Sequence, residues 1–191
     1  MQYQISELGF KTSDEWTVQD FYTFFHQLNI LYNRIYVLDE LLESRKVKKV
    51  GPVLYGSLSR MDSTNQLLLE SIEIHSPGEF NLKGVSGILK EFREFWKDVS
   101  YKNKIEKQDL EEDLRHKRNM NTLEEADHKQ EIVMKRIRQM VELGYEPDQI
   151  EVVVKALGDP IGQLDSISKQ KNIISLPPNQ LLQSDADKPR N

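Results

Sequence analysis

The stretch from Val85 to Val99 constrains this chain more than any other. Val85, Ile88, Leu89, Phe92, Phe95, Trp96 and Val99 recur at intervals of three and four, so on a helix they form one broad apolar stripe that must be buried. Beyond Val99 the stripe fades, and from Tyr101 to Gln130 about half the residues are charged. The span from Gly84 to Leu143 therefore reads as one long helix, or as two that meet near Asn119 to Thr122. Glu111 with Arg115, Asp113 with Lys117 and Glu125 with Lys129 stand four apart, acid first, each pair adding ~0.2–0.5 kcal/mol to an exposed helix. Ile105, Leu110, Leu114, Met120 and Leu123 do not keep a heptad, so a strong coiled coil is not expected.

Something has to cover the stripe, and the residues just before it supply a candidate. Leu67 to His75 has strand character, with Leu68, Ile72 and Ile74 on one face and Leu67, Leu69, Ser71, Glu73 and His75 on the other. Ser76-Pro77-Gly78-Glu79 suits a type II turn, Pro presetting φ and Gly accepting a positive one. Phe80 and Leu82 alternate with polar residues on the returning strand, up to Gly84. A lone hairpin is marginal in water and needs a cover. A second helix offers one: Thr17 can cap it, with Asp20 three residues on, and Phe21, Phe24, Phe25, Leu28, Leu31, Ile35, Leu38 and Leu42 keep helical register to about Glu43.

These elements predict a mainly helical α+β fold. A small antiparallel sheet, the hairpin 67–83 with a possible edge strand at 2–5, is covered by helices 17–43 and 85–99. The expected organisation is an α+β head over 1–100, a charged helical extension over 101–143, a short helix-loop-helix element over 144–168 and a disordered tail over 169–191. Within it, Lys11 to Glu15 turns the chain, Gly51, Pro52 and Gly56 break regularity, and Arg60 to Gln66 is a polar loop. Thr122 with Glu125 makes a capping box for a helix carrying Leu123, Ala126, Val133, Ile137, Met140 and Val141. Gly144 stops that helix, Pro147 or Asp148 starts another, Gly158 ends it, and Asp159-Pro160 with Gly162 marks a turn.

Charge narrows the choice of partners. Lys and Arg against Asp and Glu number 8 to 11 over residues 1–84, 13 to 13 over 85–143, and 5 to 7 over 144–191. A nucleic-acid groove needs an excess of cations, so DNA or RNA binding is disfavoured. The chain has no cysteine, which removes thiolate chemistry and Cys-based zinc sites. With no long apolar run and no secretory pattern at Met1 to Ile5, the expectation is a cytoplasmic protein without a transmembrane segment.

No reaction is advertised. Glu125 with His128, and Asp113 with His116, have the i, i+3 spacing of carboxylate-bundle metal ligands, but each lies on a face charged all round and reads as solvated surface. His75 and Ser76 are adjacent on a strand, point to opposite faces and lack a nucleophile elbow. The expectation is therefore no catalytic residue, no cofactor and no metal. Arg45, Lys46, Lys48 and Lys49 at the end of the first helix suit a solvated cap that offsets the dipole, with phosphate or lipid-headgroup binding as the functional alternative. An aromatic pocket between the first helix and the sheet, lined by Tyr22, His26, Tyr32 and Tyr36, is the other alternative and would serve small-molecule sensing or catalysis.

Two stretches carry a resemblance. Leu69-Glu70-Ser71-Ile72-Glu73-Ile74-His75-Ser76-Pro77-Gly78-Glu79-Phe80-Asn81-Leu82-Lys83-Gly84, followed by an amphipathic and then a charged helix, resembles a pattern in small bacterial proteins, some linked to multi-component defence systems. That likeness covers about a third of the chain and implies an accessory component, with no activity to carry over. Met140-Val141-Glu142-Leu143-Gly144-Tyr145 with Ile150 to Leu157 and Gly158-Asp159 is similar to ubiquitin-associated three-helix modules, Gly144-Tyr145 standing at their recognition loop. The functional expectation is a non-catalytic adaptor or assembly subunit that binds a protein partner or a second copy of itself. Its contact residues are expected where the stripe runs out, at Phe95, Trp96, Val99, Tyr101, Ile105, Leu110 and Leu114.

Overall fold

A computed structural model describes residues 4–12, 15–44, 49–56, 65–73, 78–112 and 131–175. In chain order these form β1 (Ile5–Thr12), α1 (Val18–Ser44), α2 (Gly51–Tyr55), β2 (Leu68–Glu73), β3 (Gly78–Val85), α3 (Ser86–Glu112), α4 (131–142), α5 (Pro147–Lys171) and β4 (Ile174–Ser175). The four strands make one antiparallel sheet in the order β2-β3-β1-β4. The mainly helical α+β expectation matches this architecture.

β1 is more than the edge strand expected at 2–5. It lies inside the sheet, with Leu8 opposite Leu82 and Phe10 opposite Phe80, and it continues through Lys11 and Thr12, where a turn was expected. Leu8, Phe10 and Thr12 alternate inward and are buried, but a threonine as the third member hides that alternation in the sequence. The buried Thr12 hydroxyl accepts the Trp16 indole N–H at 2.7 Å and donates to the Lys171 carbonyl at 2.7 Å. Gly84 and Val85, expected to open the long helix, instead end β3 opposite Ser6 and Ile5. Gly84 has to be small, because a Cβ there would stand 2.9 Å from the Tyr32 hydroxyl. That hydroxyl accepts the Val85 N–H at 2.7 Å and donates to the Asn65 carbonyl at 2.9 Å.

α1 starts where the sequence places it. The Thr17 N–H and hydroxyl both donate to Asp20 Oδ2 at 2.8 Å, and the Asp20 N–H donates back to Thr17 Oγ1 at 3.1 Å. Lys171 adds an ion pair to Asp20 at 2.7 Å, tying the start of α1 to the end of α5. Lys171 foremost, with the Thr17 bonds, holds the Asp20 carboxyl at about 2, below its ordinary 3.8. A depressed carboxyl contributes stability above its unfolded value and loses it as pH falls. Between about pH 4 and pH 2 the wild type is expected to lose about 1 kcal/mol that Asp20→Asn does not lose, solvent screening at this surface limiting the size. Urea midpoints of both proteins across that window check it, and parallel curves would remove the effect.

The core gathers on the helix-covered face of the sheet. Every member of the Val85 to Val99 stripe is buried, as expected, and Phe10, Phe24, Phe80 and Trp96 pack ring against ring. Packing also joins what the sequence reading separates. Ile132, Val133 and Met140 of α4, and Val153, Ala156, Leu157 and Leu164 of α5, belong to the same apolar cluster as Leu8 and Trp96. One face of 131–142, with Ile132, Val133, Arg136 and Met140, is therefore built into the core, and the helix is not a separate extension. Residues 169–175, placed in the tail by the sequence, complete α5 and form β4.

Of the two breaks expected from Gly and Pro, the first holds a short helix of its own, α2, which stops at Gly56, and the second does not occur. Val50 and Leu54 are buried, and Pro52 sits in the first turn of α2, where its missing N–H costs nothing. α5 passes through Gly158, Pro160 and Gly162 without ending, so 131–171 holds two helices and not a three-helix module. Proline inside a helix orphans the carbonyl four residues earlier. Here that carbonyl belongs to Ala156, and Arg34 of α1 donates to it through Nη1. The Arg34 guanidinium also lies 5.0 Å from the centroid of the Tyr55 ring. A side chain 122 residues away thus supplies what the proline removes.

Candidate functional site

The first half of α1 has more apolar surface than the core takes up. Phe24 and Leu28 are fully buried, whereas Phe21 and Phe25 are half-buried and Tyr22 is 61 % exposed. The cause is lateral placement. α1 lies over β3, with Phe24 and Phe25 each 5.3 Å from Phe80, and leaves β2 at the sheet edge uncovered.

β2 contributes apolar surface of its own because its alternation is broken. Leu69 pairs with Leu82 and Ile72 with Phe80, while Ser71 pairs with Asn81, so Glu70 is an extra residue in a bulge. Strict alternation puts Leu69 and Ile72 on opposite faces, and the bulge brings both to the helix side. They remain 48 % and 39 % exposed there, with Leu68 on the outer face at 49 %. Glu70, also turned outward, pairs with Lys83 at 3.2 Å. Ile74 and the turn through Pro77 lie outside the described residues, and Gly78 and Glu79, expected in that turn, already belong to β3.

Between α1 and β2 runs an open groove of about 760 Å³. Phe21, Tyr22 and Phe25 line it from α1, Leu69 and Leu82 line it from the sheet, and Gln66 and Leu67 line it beside β2. The remaining polar groups on the wall, His26, Asn29 and Asn33, carry amides and an imidazole in place of formal charge pairs. Tyr22 and His26 stack at 5.2 Å, interplanar angle 10°. This surface suits an apolar, uncharged ligand that makes a few hydrogen bonds.

Sequence reasoning assigns four residues to an aromatic pocket here, and the structure brings two of them together. Tyr22 and His26 line the groove. Tyr32 and Tyr36 are buried behind it, where Tyr36 donates to Glu40 at 2.9 Å and accepts from Asn65 at 2.9 Å. Burial pushes the Tyr32 phenol above its ordinary value, against the bond from the Val85 amide.

Three of the residues expected at a partner contact are buried in the core. Phe95, Trp96 and Val99 are core residues, each 4 % exposed or less, so they offer no surface to a partner. The physical reason is that β4 and the second half of α5, which the sequence reading takes as turn and tail, cover the part of α3 that a hairpin alone leaves bare. Tyr101, Ile105 and Leu110 lie on α3, and Leu114 is outside the described residues. Of the basic group, Lys49 is exposed, while Arg45, Lys46 and Lys48 lie outside the described residues, as do Asp113, His116, Thr122, Glu125 and His128.

One charged constellation was missed entirely. Arg136 of α4 is fully buried, with Nε and Nη2 donating to the two oxygens of Asp39 at 2.9 and 2.8 Å, and Nη1 donating to Glu91 at 2.7 Å. Nη1 also donates to the Ile132 carbonyl at 2.9 Å, and Lys135 adds an ion pair to Glu91. Burial alone opposes the charged guanidinium, but Asp39 and Glu91 outweigh it and hold its pKa above the ordinary value. The arrangement clamps α1, α3 and α4 to one another. Among the described residues no group of three His, Cys, Asp or Glu is placed to hold a metal, and no helix is long and apolar enough to cross a membrane.

No known protein family, curated protein or solved structure matches the chain. Geometry therefore carries the functional reading alone. A second signal for the groove in the sequence, beside the aromatic face of α1, is the run Leu67-Leu68-Leu69. In a strand, three consecutive leucines cannot all face one side.

Proposed function

We propose that the chain is a non-catalytic protein-interaction subunit, an adaptor or assembly component, and that it engages its partner through the groove between α1 and β2. The observation that carries this reading is the pairing of an edge strand whose Leu69 and Ile72 stay exposed with an aromatic helix wall, a combination that invites another chain to complete the sheet. A cytoplasmic setting, a role beside other bacterial defence components and a homo-oligomeric state belong to the same proposal.

The test places a photo-crosslinking amino acid at Tyr22 in the full chain inside cells, with Val141 and Val154, exposed apolar residues outside the groove, as controls. The expected result is a covalent protein adduct at position 22 and none at 141 or 154. Adducts at the controls alone would place the interaction elsewhere and overturn the reading.

The groove volume favours one second reading, a site for a small apolar molecule recognised by Tyr22 and His26. It predicts that a bound small molecule shifts the His26 ring resonances and blocks the crosslink at Tyr22.

A further inference from the structure

Resting on the reading of the α1–β2 groove as a protein interface, we infer that its occupant is a second copy of this chain, paired antiparallel through β2 to make one continuous eight-stranded sheet.

The argument begins with the two sheet edges, which are treated differently. On the far side, β4 pairs with Phe10 and Lys11 of β1. Beyond that pairing, Arg93 of α3 donates to the Glu7 carbonyl at 2.8 Å, so a carbonyl of β1 outside the β4 pairing has its partner within the chain. β2, at the other edge, is paired with β3 on one side, and among the described residues no strand lies on its other side. Edge strands are usually guarded by charged residues, Lys above all, by Pro, by a bulge or by a covering element, and of these β2 carries two glutamates and the bulge at Glu70. From 68 to 73 this one reads Leu-Leu-Glu-Ser-Ile-Glu.

A two-fold axis perpendicular to the sheet joins residues that face the same side. A regular strand of six residues cannot pair with itself over its whole length under that symmetry. Its first and last residues face opposite sides, as do its second and fifth. The bulge at Glu70 removes the conflict. Leu69 and Ile72 now share the inner face, and Glu70 and Ser71 share the outer face, where they meet Lys83 and Asn81. With the axis between Glu70 and Ser71, Leu69 stands opposite Ile72 of the second copy and Ile72 opposite its Leu69. Glu70 then faces Ser71, and the position of Glu73 falls opposite Leu68.

Charge agrees with that register. No glutamate stands opposite a glutamate, and Glu70 keeps its own cation in Lys83. Slipping the register by one residue brings the axis onto Glu70, puts Glu70 against Glu70 and sets inner positions against outer ones. The strand is self-complementary in one full-length register, and the irregularity that appears to spoil it is what makes it so. Direct cross-strand pairs such as Leu with Ile stabilise sheet association, and like charges directly opposite destabilise it.

The chain contains no cysteine, so the register can be tested on a clean background. Light scattering of the full chain is expected to give twice the mass of one chain, falling to one mass for Leu69→Lys, a substitution at a half-exposed position that leaves the fold intact by circular dichroism. Under mild oxidation, Leu69→Cys alone and Ile72→Cys alone are expected to stay uncrosslinked, because each thiol is three residues from its equivalent. An equal mixture of the two variants should give a disulfide-linked pair. A wild type that stays monomeric at the highest soluble concentration overturns the inference, and so does crosslinking of either single variant with itself. If the Tyr22 probe then captures only a different protein, the interaction reading survives and self-pairing does not. If it captures nothing, both fall.

Discussion

Cutting Asp39 and Glu91 back to alanine together is expected to cost about 3–5 kcal/mol, more than removing Arg136 itself. The asymmetry follows from where each group lies. The Arg136 side chain is 0 % exposed, while Asp39 and Glu91 are 33 % and 18 % exposed. A guanidinium cannot shed its proton, so with both carboxylates gone it stays charged with only the Ile132 carbonyl beside it, or drags α4 off the core to reach water. In Arg136→Met the methionine fills the apolar volume, and the two carboxylates hydrate, Glu91 keeping Lys135. That variant is expected to lose about 1–3 kcal/mol. Urea unfolding of both variants gives the order, and a larger loss for Arg136→Met would show that the buried cation is not what the clamp exists to satisfy.

Trp96→Ala is expected to cost about 3–5 kcal/mol, the range for truncating a buried aromatic. Trp96 is fully buried, 4.8 Å from Phe10 and 4.9 Å from Phe95 between ring centroids, and its indole N–H donates to the buried Ser168 hydroxyl at 2.9 Å. Removing the ring therefore opens a cavity where β1, α3 and α5 meet and strands a hydroxyl inside it. Ser168→Ala separates the two contributions. It leaves the ring in place and the indole N–H unpaired, for about 1–3 kcal/mol. The same experiment decides between a core and a surface role for Trp96. A contact residue on the surface would leave stability within about 0.5 kcal/mol of wild type and lose only a partner.

The stripe that ends at Trp96 and Val99 shows how far local pattern reaches. Its spacing gives the helix and the buried face correctly, because both follow from the chain's own 3.6-residue repeat. It does not tell what lies on the far side of that face. The sequence reading expects a hairpin there and assigns the surplus to a partner. In the fold, α5 and β4, from the other end of the chain, take that place. The same holds for the groove. Phe21, Tyr22 and Phe25 are visible as an aromatic face on α1, but their exposure depends on α1 sitting over β3 and stopping short of β2. The bulge at Glu70 shows only in the pairing with β3, because a bulge belongs to two strands and not to one.

The sequence by itself determined the elements whose signals are local: the capped start of α1 at Thr17 and Asp20, the stripe of α3, the hairpin of β2 and β3, and the left-handed stop at Gly144 with φ 74°. Only the tertiary structure decided which apolar faces stay open, where a charge is buried and whether a helix survives its proline. Arg136 is buried because Asp39 and Glu91, 97 and 45 residues away, meet it there. α5 passes Pro160 because Arg34 reaches Ala156. Burial and hydrogen-bond satisfaction are properties of neighbours in space, and a single strand or helix does not carry the identity of its neighbours in its own residues.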